Sequence, residues 1–294
     1  MAQLTRRALL TGLAASASPA FGKQSYHPML GAQFYVWTQQ FQREKKGYAE
    51  GVPAALAATR RAGFRRVELM SQLFEPALRD ITLGALREQG LEAPIVYNGG
   101  AMHDEAAAGR AIDTNAALAG SLLGAGVRIL NFNPNPIGRL KTPEELETQA
   151  RNVTRLSTVL REKGVTLILH HHNPEMAENA REWRHLLENT EVPLCIDLHW
   201  VLRGGQDPQK ILEEAGKRVA SIHLRNSQKG VWSESFGAGD IDYARVAAYL
   251  MKTGYAGHLV VELAYENATA ITRPLEEDLR LSREYAEQVF AVRA

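Results

Sequence analysis

The chain has 294 residues, 45% of them hydrophobic and 23% charged, with a formal net charge of +1. A near-neutral chain has no strong field to draw it to nucleic acid or an anionic membrane, and beyond residue 22 no apolar run is long enough to cross a bilayer. The length accommodates two ordinary domains or one barrel-sized domain.

The first stretch, "LTRRALLTGLAASASPAFG", pairs Arg6 with Arg7, follows them with an Ala-, Leu- and Gly-rich run, and ends in small residues. This is the three-part layout of an export signal, with a cut expected after Ala17 or Ala20. The arginine pair points to the twin-arginine type. Residues 1–22 are therefore expected to be a signal peptide, and the mature protein periplasmic or otherwise exported.

Short apolar runs then alternate with helically periodic segments. The runs are "GAQFYVW" (31–37), "FRRVELM" (64–70), "APIVYN" (93–98), "VRILNFN" (127–133), "VTLILHH" (165–171), "VPLCIDL" (192–198), "VASIHL" (219–224) and "GHLVVEL" (257–263). Glycines in "RAGF", "EQGL", "GAGV", "EKGV" and "KTGY" sit just past the helical segments, at the left-handed cap position. "KTPEEL" carries a helix-start signature. The single cysteine, Cys195, has no disulfide partner and reads as a small buried strand residue. Eight strand-then-helix units without a linker predict an α/β chain forming one (β/α)8 TIM barrel over residues 28–290. An open doubly wound sheet is disfavoured, since no phosphate-binding glycine motif follows an early strand.

Active sites of such barrels lie at the C-terminal strand ends. Reactive residues collect there: Glu68 on the second strand, His170 and His172 on the fifth, Asp197 and His199 on the sixth, His223 on the seventh, Glu262 on the eighth. Trp37, Tyr97, Asn98, Asn131 and Asn133 end the first, third and fourth, where they can shape or hydrogen-bond a ligand. Charged residues inside apolar strands need a partner or a metal. His170, Asp197, His223 and Glu262 come from four consecutive strands, and two imidazoles with two carboxylates suit a divalent ion of borderline hardness. Period-two alternation points His170 and His172 inward and His171 toward the helices. His172 either joins the metal or contacts substrate. His199, two residues after Asp197, is expected to share its face and serve substrate binding or proton transfer.

The segments "GFRRVEL", "KGVTLILHHHN", "PLCIDLHW", "ASIHLRN", "FGAGDIDY" and "GHLVVEL", in that order, give a chain that resembles the xylose isomerase-like barrel superfamily, specifically its sugar phosphate isomerase/epimerase and endonuclease-IV-like group. Within them Asp240 is well placed as a helix N-cap. The resemblance implies one divalent ion (Mn, Co, Fe, Mg or Zn) at His170, Asp197, His223 and Glu262. The first position departs from the pattern, because ketose epimerases carry Glu there. In those relatives the two ligand glutamates act as acid and base on opposite faces of the substrate, so the departure weakens symmetric epimerisation.

The implied chemistry is proton removal beside a carbonyl through a metal-stabilised enediolate. Glu262 is the expected base, with His172, His199 or Glu68 as partner. Arg225 is expected to hold a hydroxyl or an anionic group, and Trp37, Asn98 and Asn133 to contact substrate. Isomerisation, epimerisation and β-elimination all start from that step. Export directs the expectation toward an unphosphorylated sugar, including a lyase acting on a 3-keto-glycoside. An endonuclease-IV-like phosphodiesterase would need a three-metal cluster and a basic face, against a net charge of +1. A non-catalytic sugar-binding barrel would fit the lost glutamate but not the three retained ligands. The expected partner is a small carbohydrate, with no nucleic acid and no stable membrane association; homo-oligomerisation stays open.

Overall fold

The computed structural model describes residues 25–294. The export-signal expectation falls on residues outside these. Strands β1 (Met29–Gln33), β2 (Arg66–Met70), β3 (Glu92–Gly100), β4 (Ile129–Pro134), β5 (Thr166–Leu169), β6 (Leu194–Asp197) and β7 (Val219–Leu224) are followed by a hairpin, β8 (Ser227–Gln228) and β9 (Val231–Trp232), and then by β10 (His258–Val261). All but the hairpin close into one barrel in the order β1-β10-β7-β6-β5-β4-β3-β2, paired in parallel throughout.

The helices are α1 (Tyr35–Glu44), α2 (Tyr48–Arg61), α3 (Arg79–Gln89), α4 (Glu105–Gly124), α5 (Pro143–Glu162), α6 (Asn173–Asn189), α7 (Leu198–Arg203), α8 (Pro208–Ala215), α9 (Tyr243–Thr253) and α10 (Leu275–Phe290). They cover the outer barrel face, so strand residues are shielded on both sides; Leu167, Ile168 and Leu169 are all buried.

Local signals explain the ends. Thr142 Oγ1 accepts from the Glu145 N–H at 3.2 Å while Glu145 Oε2 accepts from the Thr142 N–H at 2.8 Å, a reciprocal cap that starts α5. From there Leu146, Val153, Leu156 and Leu160 recur at helical spacing and are buried. Each contributes roughly 1.5–3 kcal/mol by leaving water. α3 ends at Gly90 with φ +60° and α9 at Gly254 with φ +68°, a conformation in which a Cβ would crowd the backbone.

The structure departs from the sequence expectation in three places. The run "GAQFYVW" does not stay extended: β1 stops at Gln33 and α1 begins at Tyr35, burying Val36, Trp37, Thr38 and Phe41 against the helix layer. The sixth strand also stops early. Asp197 Oδ1 accepts from the backbone N–H groups of His199 and Trp200, which caps and nucleates α7. The expected N-cap Asp240 is not one. Asp242 caps α9, accepting from Ala244 and Arg245. Asp240 instead accepts from Ser227 Oγ at 2.6 Å and from the N–H groups of Lys229 and Gly230, which holds the β8–β9 hairpin.

Candidate active site

Four side chains converge at the C-terminal end of the barrel. His170 follows β5, and its backbone N–H donates to Phe132 of β4 at 2.9 Å. Asp197 ends β6, His223 lies in β7, and Glu262 follows β10. One ligand atom from each of these residues lies within 4.8 Å of the others. All four are buried; Glu262, at 8% exposure, is the most open.

The polar contacts define what each atom is free to do. Asp197 Oδ1 is spent on α7, while Oδ2 accepts from Arg225 Nη2 at 2.8 Å. His223 Nδ1 lies 2.7 Å from Glu262 Oε2, and its Nε2 lies 3.0 Å from Glu68 Oε2. His170 has both ring nitrogens buried without a hydrogen-bond partner, and its Nε2 is 3.9 Å from Asp197 Oδ2. Two orphaned nitrogens on one imidazole are costly in a dry site. A metal bound through one of them removes part of that cost. The donor set of two nitrogens and two carboxylates fits a divalent ion, so this buried group can hold one.

Charge is nearly balanced around the group. Burial, reinforced by His172 and His223, holds His170 well below the ordinary imidazole range, so it is neutral, as a ligand must be. Burial opposes protonation of His223 as well, yet Cys195, Glu68 and Glu262 hold it well above that range. Burial also pushes the Cys195 thiol up, so the two carboxylates are the charges that count. Glu262 stays below the usual carboxylate range because Arg225 and His223 outweigh its burial. Arg225 is itself buried, with Trp232 at 4.3 Å and Trp200 at 5.2 Å from its guanidinium carbon.

The other expected residues are placed as follows. His172 reaches the site: its ring is 4.8 Å from His170 and 5.3 Å from Trp200, and burial lowers it to about 4. His171 turns away and accepts from the Asp197 N–H at 3.3 Å, tying β5 to β6. Asn133 is buried on the same strand face as Asn131, with Oδ1 unbonded. Tyr97 packs edge-on to His170 at 5.4 Å.

Several expectations need correction. Trp37 is not at a strand end; it lies in α1, and its indole N–H donates to Thr59 of α2 at 3.0 Å. Asn98 neighbours the inward Tyr97 and so faces outward, bonded to Ser71 and to Asn115 of α4. His199 does not share the Asp197 face, because the chain has already turned helical; its Nδ1 accepts from Trp232 Nε1 at 3.0 Å. Glu68 has no exposed side-chain surface and spends its oxygens on Asn131 and His223, so it stands behind the ligands rather than before the substrate. Arg225, expected to hold a substrate hydroxyl or anion, is buried and is the partner of Asp197. Trp200 and Trp232, which wall the site, escaped the sequence reading. Trp200 lies in the quoted "CIDLHW", whereas Trp232 arrives on the hairpin and had no local signal.

Residues 56–286 match the family described as xylose isomerase-like TIM barrel. The chain belongs to that family. Within it, this barrel is similar to the inosose dehydratase of Clostridium perfringens, 28% identical over an alignment of 198 positions that covers 56% of this chain and 66% of that protein. The alignment thus spans just under two thirds of the relative. Among solved structures it is similar to an L-ribulose 3-epimerase, with TM-score 0.73 and 17% identity over 90% of this chain and 95% of the other. It is also similar to a 3-keto-D-glucoside 4-epimerase from E. coli, with TM-score 0.66 and 14% identity over 89% and 99%. At these identities the likeness is one of fold.

Proposed function

We propose that this family member is a divalent-metal-dependent enzyme that removes a proton from the carbon beside a carbonyl of an unphosphorylated keto-sugar. The observation that carries the reading is the buried His170–Asp197–His223–Glu262 group with both His170 nitrogens unbonded. A divalent ion held there would supply a Lewis acid for the carbonyl oxygen. Glu262 is ionised, the most open of the four, and takes the proton. Tyr97, Trp200 and His172 wall the space around it. Arg225 keeps Asp197 and Glu262 aligned and is already paired, so it offers no unused charge for a phosphate. Export through the leader read over residues 1–22 fits an unphosphorylated substrate met outside the cytoplasm.

Between outcomes, elimination is favoured over epimerisation. Epimerisation requires a proton returned from the opposite face. His172, the further imidazole beside the four, is lowered by burial to about 4 and carries no extra proton to return at neutral pH. In elimination the C–H and C–O bonds break, a C=C bond forms, and the proton leaves with the departing hydroxyl as water. The similarity to an inosose dehydratase points the same way. Product analysis on inososes and 3-keto-glycosides tests this: an unsaturated ketone with loss of water or aglycone is expected. A stereoisomer of unchanged mass would replace elimination by epimerisation or isomerisation.

A further inference from the structure

We propose that Glu68 is a positioning residue that presents Nδ1 of His223, rather than Nε2, to the divalent ion. This rests on the metal-dependent reading above. An imidazole has two nitrogens, and the one that faces a metal is fixed by the hydrogen bond the other makes. Here the two sides of the ring are unequal. Nε2 points into the barrel at Glu68 Oε2, 3.0 Å away, while Nδ1 points at Glu262, itself one of the four converging groups, 2.7 Å away.

Glu68 cannot serve solvent or substrate, because its side chain is fully buried. A buried carboxylate needs donors. Asn131 Nδ2 gives one to Oε1 at 3.0 Å, its longer 3.3 Å approach to His223 Nε2 being secondary. The remaining oxygen, Oε2, takes its donor from His223, which requires the proton on Nε2. With the proton there, the Nδ1 lone pair is directed at the space shared with Glu262, Asp197 and His170. Glu68 comes from β2, which β1 and β10 separate from β7 in the closed barrel, so the contact spans the interior rather than arising from local sequence.

Zinc titration of metal-free wild type, Glu68→Ala and Glu68→Gln, each checked for folding by circular dichroism, tests the role. Losing such an outer partner is expected to weaken metal binding about 10- to 100-fold in Glu68→Ala. Glu68→Gln keeps an oxygen that accepts from Nε2 and is expected to stay within a few-fold of wild type. The zinc-loaded wild type, observed by 15N NMR of its imidazoles, is expected to show His223 bound through Nδ1 and protonated at Nε2, which decides the matter even if Glu68→Ala does not fold. Unchanged affinity in folded Glu68→Ala, or a ring bound through Nε2, would overturn this inference alone. Failure of the wild type to take up zinc would overturn the metal reading and this inference with it.

Discussion

Arg225 donates to the outer oxygen of Asp197 at 2.8 Å, with both side chains closed off from solvent and the guanidinium held against two tryptophans. The pair fixes one oxygen of a carboxylate whose other oxygen starts α7. Removing the cation leaves a buried charge without a partner. Arg225→Met is therefore expected to cost about 3–5 kcal/mol of stability. Added Mn2+ should recover part of the loss, because it gives Asp197 a cation again. Thermal melts with and without the ion check this, and an unchanged melting temperature in the variant would contradict it.

Glu262 is assigned the proton-abstracting role. Glu262→Gln keeps the size and an acceptor oxygen but removes the base. Proton abstraction should fall by about 10²- to 10⁴-fold with little change in the melt. Loss of folding would show that the carboxylate is needed for stability. Undiminished turnover would remove it from the mechanism.

The protonation of His223 sets the direction of the pH dependence of metal uptake. His223 is held well above the ordinary imidazole range by Glu68 and Glu262, despite burial. Its Nδ1 must lose a proton before it can bind, so metal binding releases a proton below that raised pKa. Affinity is expected to rise with pH, by up to about tenfold per unit where one proton is displaced. Titrations at several pH values with one metal measure the slope, and a flat or falling affinity would contradict the assignment.

Glu175, at the start of α6, supplies a separate pH signature. Burial first, then Glu182, raises its carboxyl to about 7, while one oxygen accepts from the His172 N–H at 2.8 Å. A folded-state pKa above the unfolded value means the folded form binds more protons across that interval, so stability falls as pH rises from about 4.5 toward 7. Glu175→Gln retains the acceptor and removes the buried charge. It is expected to be more stable than wild type by about 1–3 kcal/mol at pH 8, with nearly all of that difference gone at pH 4, below the unfolded-state pKa. Denaturant melts at both values decide it.

The barrel and the four converging residues were legible because parallel strands place their terminal side chains on one rim. A charged residue at the end of an apolar run has little other reason to be there. What escaped depended on where each strand stops. The run through Trp37 is as apolar as a strand, yet it is helical from Tyr35 and packs against α2 through Thr59, a tertiary contact the local pattern does not record. His199 followed Asp197 at strand spacing, but the Asp197 carboxylate itself ends the strand two residues earlier. Tyr97 and Asn98 are neighbours, so alternation allows only one inside, and size and polarity did not say which. Trp232 comes from a hairpin pinned by Asp240 through contacts 10 to 13 residues away in sequence, which no periodicity records.

The central claim is metal-dependent deprotonation beside a carbonyl. Its most direct test is uptake of solvent deuterium by unphosphorylated keto-sugars, inososes and 3-keto-glycosides, read by NMR with metal-loaded and with chelator-treated protein. Exchange or elimination is expected at the carbon next to the carbonyl, lost on chelation and restored by a divalent ion. Turnover of any of these substrates that persists undiminished in the metal-free protein would contradict it.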